Sequence, residues 1–399
     1  MSTFITVSFE EAIEKSLQLA TTTPTIEWVY LSEALGRVLA SNLTCKKALP
    51  AFNNAALDGF GIRFTDIGKK LKIKDTIYAG MDIKDCFLEE NECYKIMTGA
   101  KAPTHIDTIV PFEEALDFDE YTVTLPTTTK KGNALRLKGE EQTLGSKILE
   151  KGSLINSQNI AMLASQGITK IPVYKKISIA VFSTGDELKE PWENANENQI
   201  YNINSSEIIA LLSEYGFQAD YCGVIPDNLE ESVAYFSKMK RYDVLITSGG
   251  ISMGEADFTA EALAKNGFNS IFHGINIKPG KPTMMGKMQD TIVCSMPGNP
   301  LAAYVNTYLF VIPLCKKLQG FKDFAHEKIL CKNAKKFTMK KGRVNIVLGK
   351  LKETYFHVTQ ENKYGSGMIT PITQSNCIYL SDEDKNFVDD GELISSYLI

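Results

Sequence analysis

Between residues 175 and 320 the chain alternates continuous apolar runs with segments of helical periodicity, and no other feature restricts its fold as much. The runs "ISIAVF" (177–182), "ADYCGVI" (219–225) and "YDVLITS" (242–248) read as strands covered on both faces, because a half-exposed strand would alternate polar and apolar residues. Asn204-x-x-Glu207 and Asp227-x-x-Glu230 have the spacing of helix capping boxes. The first precedes Ile208, Leu211, Leu212 and Tyr215, and Gly216 stops that helix. A further helix is expected from about residue 258. This alternation implies βαβ units, a mostly parallel sheet and helices on both faces, a three-layer α/β domain. In such sheets ligands bind beyond the carboxyl ends of the strands.

A length of 399 residues exceeds one ordinary core, so several domains are expected. Residues 1–50 and 141–174 are assigned to an N-terminal helix and an elongated connector, 51–140 to a β-rich domain, 175–320 to the α/β domain and 321–399 to a C-terminal β-domain that is expected to be barrel-like. Ser8-Phe9-Glu10-Glu11 forms a capping box, with Ile13, Leu17 and Ala20 following at helical spacing. In the β-rich domain short runs such as "TIYAG", "CYKIMTG" and "YTVTLP" are separated by Gly, Pro, Asp and Asn. The connector carries a short helix closed by Gly167, and "RVNIVLGKLKETYFHVT" reads as a hairpin of the last domain.

Several function classes are excluded. A net charge of −5 argues against broad nucleic-acid or anionic-membrane binding. The eight cysteines lack metal-ligand spacing, the N-terminus lacks a signal-peptide pattern, and the apolar segment 301–315 is broken by Asn306, Thr307 and Pro313. A cytoplasmic location is therefore expected. No nucleophile motif occurs, and the four histidines are dispersed.

The loops leaving the strand ends are "STGDEL" (183–188), "IPDN" (225–228), "SGGISMGEAD" (248–257) and "MPGNP" (296–300). Gly249 to Gly254 has P-loop spacing, but Glu255-Ala256 stands where a P-loop needs Lys and Ser or Thr. Gly365-Ser366-Gly367 likewise lacks the third glycine of a dinucleotide fingerprint. Glu187, Asp227 and Asp257 can each be explained locally, as a solvated loop acid or as helix caps. Their common place at one sheet edge points instead to a divalent cation held by oxygen ligands. Lys278 and Lys281 flank a Pro-Gly turn that fixes their backbone for an anion, and Pro297 and Pro300 stiffen a strand-to-helix junction in the same way. Ser248, Gly249 and Gly250 stand at a strand end, where glycines commonly let the backbone approach an anionic ligand.

In this order, "PAFNNAALDGFGI", "MTGA", "GEEQ", "FSTGDEL", "TSGGISMGEADF", "IKPGKP" and "MPGNP" resemble the molybdopterin molybdenumtransferase family, which includes MoeA and the gephyrin E-domain. The resemblance spans nearly the whole chain. It implies insertion of molybdate into adenylylated molybdopterin with release of AMP, assisted by Mg²⁺. It implies a homodimer whose active cleft lies between the α/β domain of one subunit and the β-rich domain of the other. The adenylyltransferase and recipient molybdoenzymes are the implied protein partners. By the same resemblance Asp58, Glu187 and Asp257 are catalytic, Glu187, Asp227 and Asp257 hold the metal, and Thr98, Glu141, Lys278 and Lys281 bind substrate.

Two departures stand out. The family's Asn-Ser-Ala-Met-Asp-Gly-Tyr-Ala reads Asn54-Ala55-Ala56-Leu57-Asp58-Gly59-Phe60-Gly61, which drops a serine hydroxyl but keeps the acid. Glu141 stands where the family usually has Asp. Two other functions stay open: molybdopterin adenylylation, which needs the α/β domain alone, and a non-catalytic scaffold or pterin carrier. The long flanking domains favour insertion over the first, and the full set of motif acids and lysines argues against the second.

Overall fold

The computed structural model describes residues 5–22, 24–225, 228–251 and 258–399. It divides into two compact units: Met1–Ala40 with Gly152–Asn156 and Lys170–Ile399, and Ser41–Lys151 with Ser157–Thr169.

In the first unit the three apolar runs become strands Ile179–Thr184, Ala219–Ile225 and Val244–Ser248 of a six-stranded sheet, joined by Thr291–Met296, Met284–Met288 and Phe268–His273. Ala219–Ile225, Ile179–Thr184, Val244–Ser248 and Thr291–Met296 pair in parallel, and the two remaining neighbours pair antiparallel. The apolar runs are continuous because alternate residues serve two cores. Ile179, Val181, Ile246 and Cys294 pack with Leu211 and Leu301 on one face. Ala180, Phe182, Leu245 and Val293 pack with Phe236 and Leu263 on the other. The α/β three-layer domain expected above is present.

Both capping boxes of this domain need correction. The helix Ile203–Glu214 starts earlier than expected, with Asn202 as N-cap accepting from the Ser205 N–H. Asn204 is thereby carried inside the helix. Glu207, one turn on, has its Oε1 buried without a partner among the described residues. The helix Leu229–Met239 is capped by Asn228, whose Oδ1 accepts from the Glu231 N–H at 3.0 Å, and Asp227 lies outside the described residues. The segment beginning at Pro300 is a buried helix, α-helical over Pro300–Asn306 and Ile312–Leu318 with a π-helical turn at Thr307–Val311. No described helix is long and apolar enough to cross a membrane.

Strands Val344–Lys352, Tyr355–Val358, Lys328–Asn333, Leu393–Leu398 and Cys377–Leu380 pair in a closed ring, so the C-terminal region is a five-stranded barrel. The expected hairpin supplies two of its strands. Ile277–Lys278 adds in parallel to Val344–Lys352, with Lys278 opposite Asn345. The Ser8 capping box forms as expected, and Phe9 on the helix Phe9–Gln18 meets Phe310 edge-on at 5.7 Å.

The second unit holds a six-stranded sheet in the order Thr108–Pro111, Gly59–Ile62, Glu92–Ile96, Lys70–Ile77, Thr122–Thr124, Asp117–Phe118. It also holds the helix Ser157–Ser165, which Gly167 follows at φ +65°.

Candidate functional site

Parallel register sets the site of the first unit. Ser183 lies opposite Ser248, and Ser248 opposite Met296, so three strands end level and deliver their loops side by side. These loops and the start of the helix Ile203–Glu214 enclose a cavity of about 580 Å³. Glu187, Ser248, Gly249, Gly250, Pro297 and Pro300 all line it.

Much of its floor is a closed polar network. Asn204 donates to Ser248 Oγ at 2.6 Å and to the Gly298 carbonyl at 2.8 Å, and Ser248 Oγ donates to the Pro297 carbonyl at 3.2 Å. Ser183 Oγ donates to Asn202 Oδ1 at 3.0 Å, and Asn202 donates to Glu190 and to the Tyr221 hydroxyl, each at 3.1 Å. Ser248 therefore joins its own loop to the Pro297–Gly298 loop. Asn202 and Asn204 have positioning roles that a reading as caps alone could not reveal. Leu188, Ile200, Tyr201, Ile203 and three prolines complete the lining with apolar surface.

Glu187 is the carboxylate of this lining among the described residues, and it is solvent-exposed. A Cβ on Gly185, at φ +141°, would stand 2.7 Å from Glu187 Oε2, so the glycine makes room for the folded-back acid. Asp227 and Asp257 lie outside the described residues, and no group of three or more His, Cys, Asp or Glu side chains gathers at metal-binding distance among the rest. One carboxylate beside hydroxyl and backbone oxygens fits a hard cation such as Mg²⁺, which takes one or two protein carboxylates and fills its shell with water and substrate oxygens.

Lys278 and Lys281 line an adjoining cavity of about 450 Å³ rather than this one. The two cavities share Pro282, Pro297 and Asn299. The second is walled by Arg343, Asn345 and Ser366 of the barrel region, residues that sequence reasoning missed. Arg343 was hidden in a stretch legible only as strand, and Ser366 in a glycine pair dismissed as a fingerprint. Asn345 donates to the carbonyls of Lys340 and Arg343 at 2.9 and 3.1 Å and so fixes the arginine's backbone. Asn299 donates to Ser366 Oγ at 3.0 Å, and the Leu301 N–H is taken by the Ser366 carbonyl at 3.1 Å. The helix terminus after "MPGNP" thus spends that N–H on the barrel region. Lys278, Lys281 and Arg343 form no ion pair with a described residue, which leaves three cations facing one cavity.

In the second unit Thr98 donates both its N–H and its hydroxyl to Asp58 Oδ1, each at 2.6 Å. The hydroxyl bond first, then the backbone bond, holds the exposed carboxyl below the usual carboxylate range. Thr98, expected to meet substrate, is therefore engaged in orienting Asp58. Glu141 lies 3.3 Å from Arg136, which also pairs with Glu140 at 3.0 Å.

Three family models match the chain in succession: "MoeA N-terminal region (domain I and II)" over residues 7–167, "Probable molybdopterin binding domain" over 180–317 and "MoeA C-terminal region (domain IV)" over 331–399. The molybdopterin molybdenumtransferase of Haemophilus influenzae is 30% identical across 98% of this chain and 98% of its own length. That of Staphylococcus epidermidis is 33% identical across 79% and 77%. The crystal structure of a molybdopterin biosynthesis MoeA protein from Pyrococcus horikoshii is similar at a TM-score of 0.85 and 26% identity, covering 99% of this chain and 100% of that one.

Proposed function

The chain belongs to the molybdopterin molybdenumtransferase (MoeA) family, and we propose from that premise that it inserts molybdate into adenylylated molybdopterin with release of AMP. The observation that carries this function is the pair of adjoining cavities. One joins a polar floor to apolar walls, as a flat heterocycle with a phosphoanhydride requires. The other collects Lys278, Lys281 and Arg343, as a small oxyanion requires. A shared border at Pro297 and Asn299 brings the two substrates within reach of each other.

Lys278, Lys281 and Arg343 draw molybdate in and hold it against the rigid Pro-Gly turn. Gly249 and Gly250 let the pterin ligand approach the backbone at the strand ends. Ser248 holds the loop behind them through Pro297, and Pro297 and Pro300 keep that junction stiff. Glu187 would hold Mg²⁺, with Asp227 and Asp257 as its further carboxylates. When bound, Mg²⁺ supplies charge neutralisation for the phosphoanhydride and the departing AMP. Asp58, ionised and aimed by Thr98, serves as a positioning acceptor for the substrate; a carboxylate held below its usual range is a weak base. In a homodimer Asp58, Thr98 and Glu141 of one subunit act on substrate held by the α/β domain of the other. The protein works in the cytoplasm, between the adenylyltransferase that makes its substrate and the molybdoenzymes that take its product.

The test supplies purified protein with adenylylated molybdopterin, Mg²⁺ and molybdate and follows AMP and metallated cofactor together. Both are expected to appear in step, and only with molybdate. ATP consumption in place of AMP release would make the protein an adenylyltransferase, and binding without AMP release a carrier.

A further inference from the structure

Gln360, Glu361 and Asn362 are three consecutive residues other than glycine with φ of +46°, +52° and +60°. A side chain makes such backbone costly, and a run of it persists only where the surroundings impose it. Thr359, just before the run, is buried and shares a 2.7 Å hydrogen bond with Ser375. The Gln360 carbonyl accepts from the Lys363 N–H at 2.9 Å, and the Gln360 side chain donates to Gln374 at 2.9 Å. Asn362 donates its side-chain amide to the Thr338 carbonyl at 3.0 Å. The turn is thus fastened before, within and at its end.

From this turn the chain runs along the 450 Å³ cavity that holds Lys278, Lys281 and Arg343. Asn362, Tyr364 and Ser366 are partly buried and line that cavity, whereas Glu361 and Lys363 are exposed and stand outside its lining. Every second residue therefore faces the site. The Tyr364 hydroxyl accepts from the Leu348 N–H at 2.7 Å, and Ser366 is held by Asn299 and Leu301. Asn362 is the cavity-lining residue that ties the near end of this strip to Thr338. Three left-handed residues in a row set the direction in which the strip leaves the turn.

We propose that Asn362 is a positioning residue of the oxyanion cavity: by holding the left-handed turn to Thr338 it sets where Ser366 stands relative to Lys278, Lys281 and Arg343. The inference rests on the function proposed above, which makes this cavity the molybdate site. Asparagine suits the place because it enters the left-handed region more readily than most residues and still supplies a donor. Ser366 Oγ accepts from Asn299, so the proton of that hydroxyl is what it can offer to an oxyanion. Such a bond weakens steeply with distance and angle, and a strip loose at one end would lose it first.

The experiment compares Asn362→Gly and Asn362→Ala with the parent protein in thermal melting, in equilibrium titration with molybdate alone, and in steady-state AMP release at varied molybdate. Glycine accepts the turn's φ without strain and removes only the anchor. Asn362→Gly is therefore expected to melt within about 3 °C of the parent, while its molybdate Kd rises about tenfold and kcat at saturating molybdate falls less than about threefold. Asn362→Ala adds a Cβ at φ +60° and should melt lower, with a Kd at least as high. The inference is overturned if Asn362→Gly binds molybdate as the parent does. It is equally overturned if that variant loses as much in melting as Asn362→Ala, because the residue would then hold the fold and not the site. A parent that binds no molybdate and releases no AMP with it sinks the proposed function, whereas a working parent with an unaltered Asn362→Gly sinks this inference alone.

Discussion

Asn306 donates its side-chain amide to the carbonyl of Gly280 at 3.0 Å, and so pins the turn between Lys278 and Lys281 from inside the protein. The same amide reaches Thr283 Oγ1 at 2.5 Å, and that hydroxyl donates back to the Gly280 carbonyl at 2.9 Å. Asn306 is fully buried, and a Cβ on Gly280 would meet its amide nitrogen at 2.3 Å, so residue 280 has to be glycine. Two exposed lysines thereby inherit the rigidity of a buried helix. Asn306→Ala is expected to lower stability by about 1–3 kcal/mol. It should raise the molybdate KM more than it lowers kcat, because the cations remain but their spacing wanders. Thermal melting and steady-state AMP release at varied molybdate check this; an unchanged KM would leave Asn306 as a folding residue alone.

Asp58 and Thr98 behave as one unit, since both bonds from the threonine fall on the same carboxylate oxygen. Asp58→Asn is expected to cut molybdate-dependent AMP release by about a hundredfold, the scale on which a misplaced reacting group slows a reaction. Thr98→Val has a different signature. Without the hydroxyl bond, the larger of the two that lower the acid's pKa, the carboxyl returns towards its ordinary range. The acid limb of the pH–rate profile, which requires ionised Asp58, should then move to higher pH, while the rate on the neutral plateau changes less than in Asp58→Asn. A limb that stays in place would detach Asp58 from the rate.

The parts of the fold that could be read in advance are those whose signal is local. Ile179 to Phe182 announce a buried strand because every position faces one of two cores. Ser8 and Glu11 announce a helix start because the capping box is closed within four residues. The caps at Asn202 and Asn228 were missed because each stretch offers several side chains able to cap, and the choice depends on where the preceding loop delivers the chain. Arg343 escaped for a longer-range reason: it lines the same cavity as Lys278 only because Ile277 and Lys278 pair with Val344 and Asn345, far away in sequence.

Gly59 follows Asp58, and the dipeptide by itself reads as an ordinary turn. It lies instead inside the sheet, opposite Ile96 on one side and Pro111 on the other, where a Cβ would stand 2.3 Å from the Val110 carbonyl oxygen and 2.9 Å from Pro111 Cα. Backbone cannot yield as a side-chain tip can. Gly59→Ala is expected to cost about 1–3 kcal/mol or more and to lower AMP release by displacing the neighbouring Asp58. Gly365→Ala is the control, since a Cβ there meets nothing within 4 Å. Equal melting temperatures for the two variants would contradict the close approach at Gly59.

Glu207 carries a pH signature opposite to that of Asp58. Burial, with Oε1 lacking a partner among the described residues, pushes its carboxyl from an ordinary 4.5 up to about 8. Between those values the native protein keeps a proton that the unfolded chain has released. The native state therefore binds more protons, and stability falls as pH rises from 4.5 to about 8, levelling off above. Glu207→Gln removes the titration and keeps the shape. The variant should match the parent below the lower value and exceed it near the upper one by an amount on the order of a few kcal/mol. Denaturant unfolding of both proteins across this range decides the matter. Parallel stability curves would mean that Glu207 is ionised in the native protein and has a counter-charge nearby.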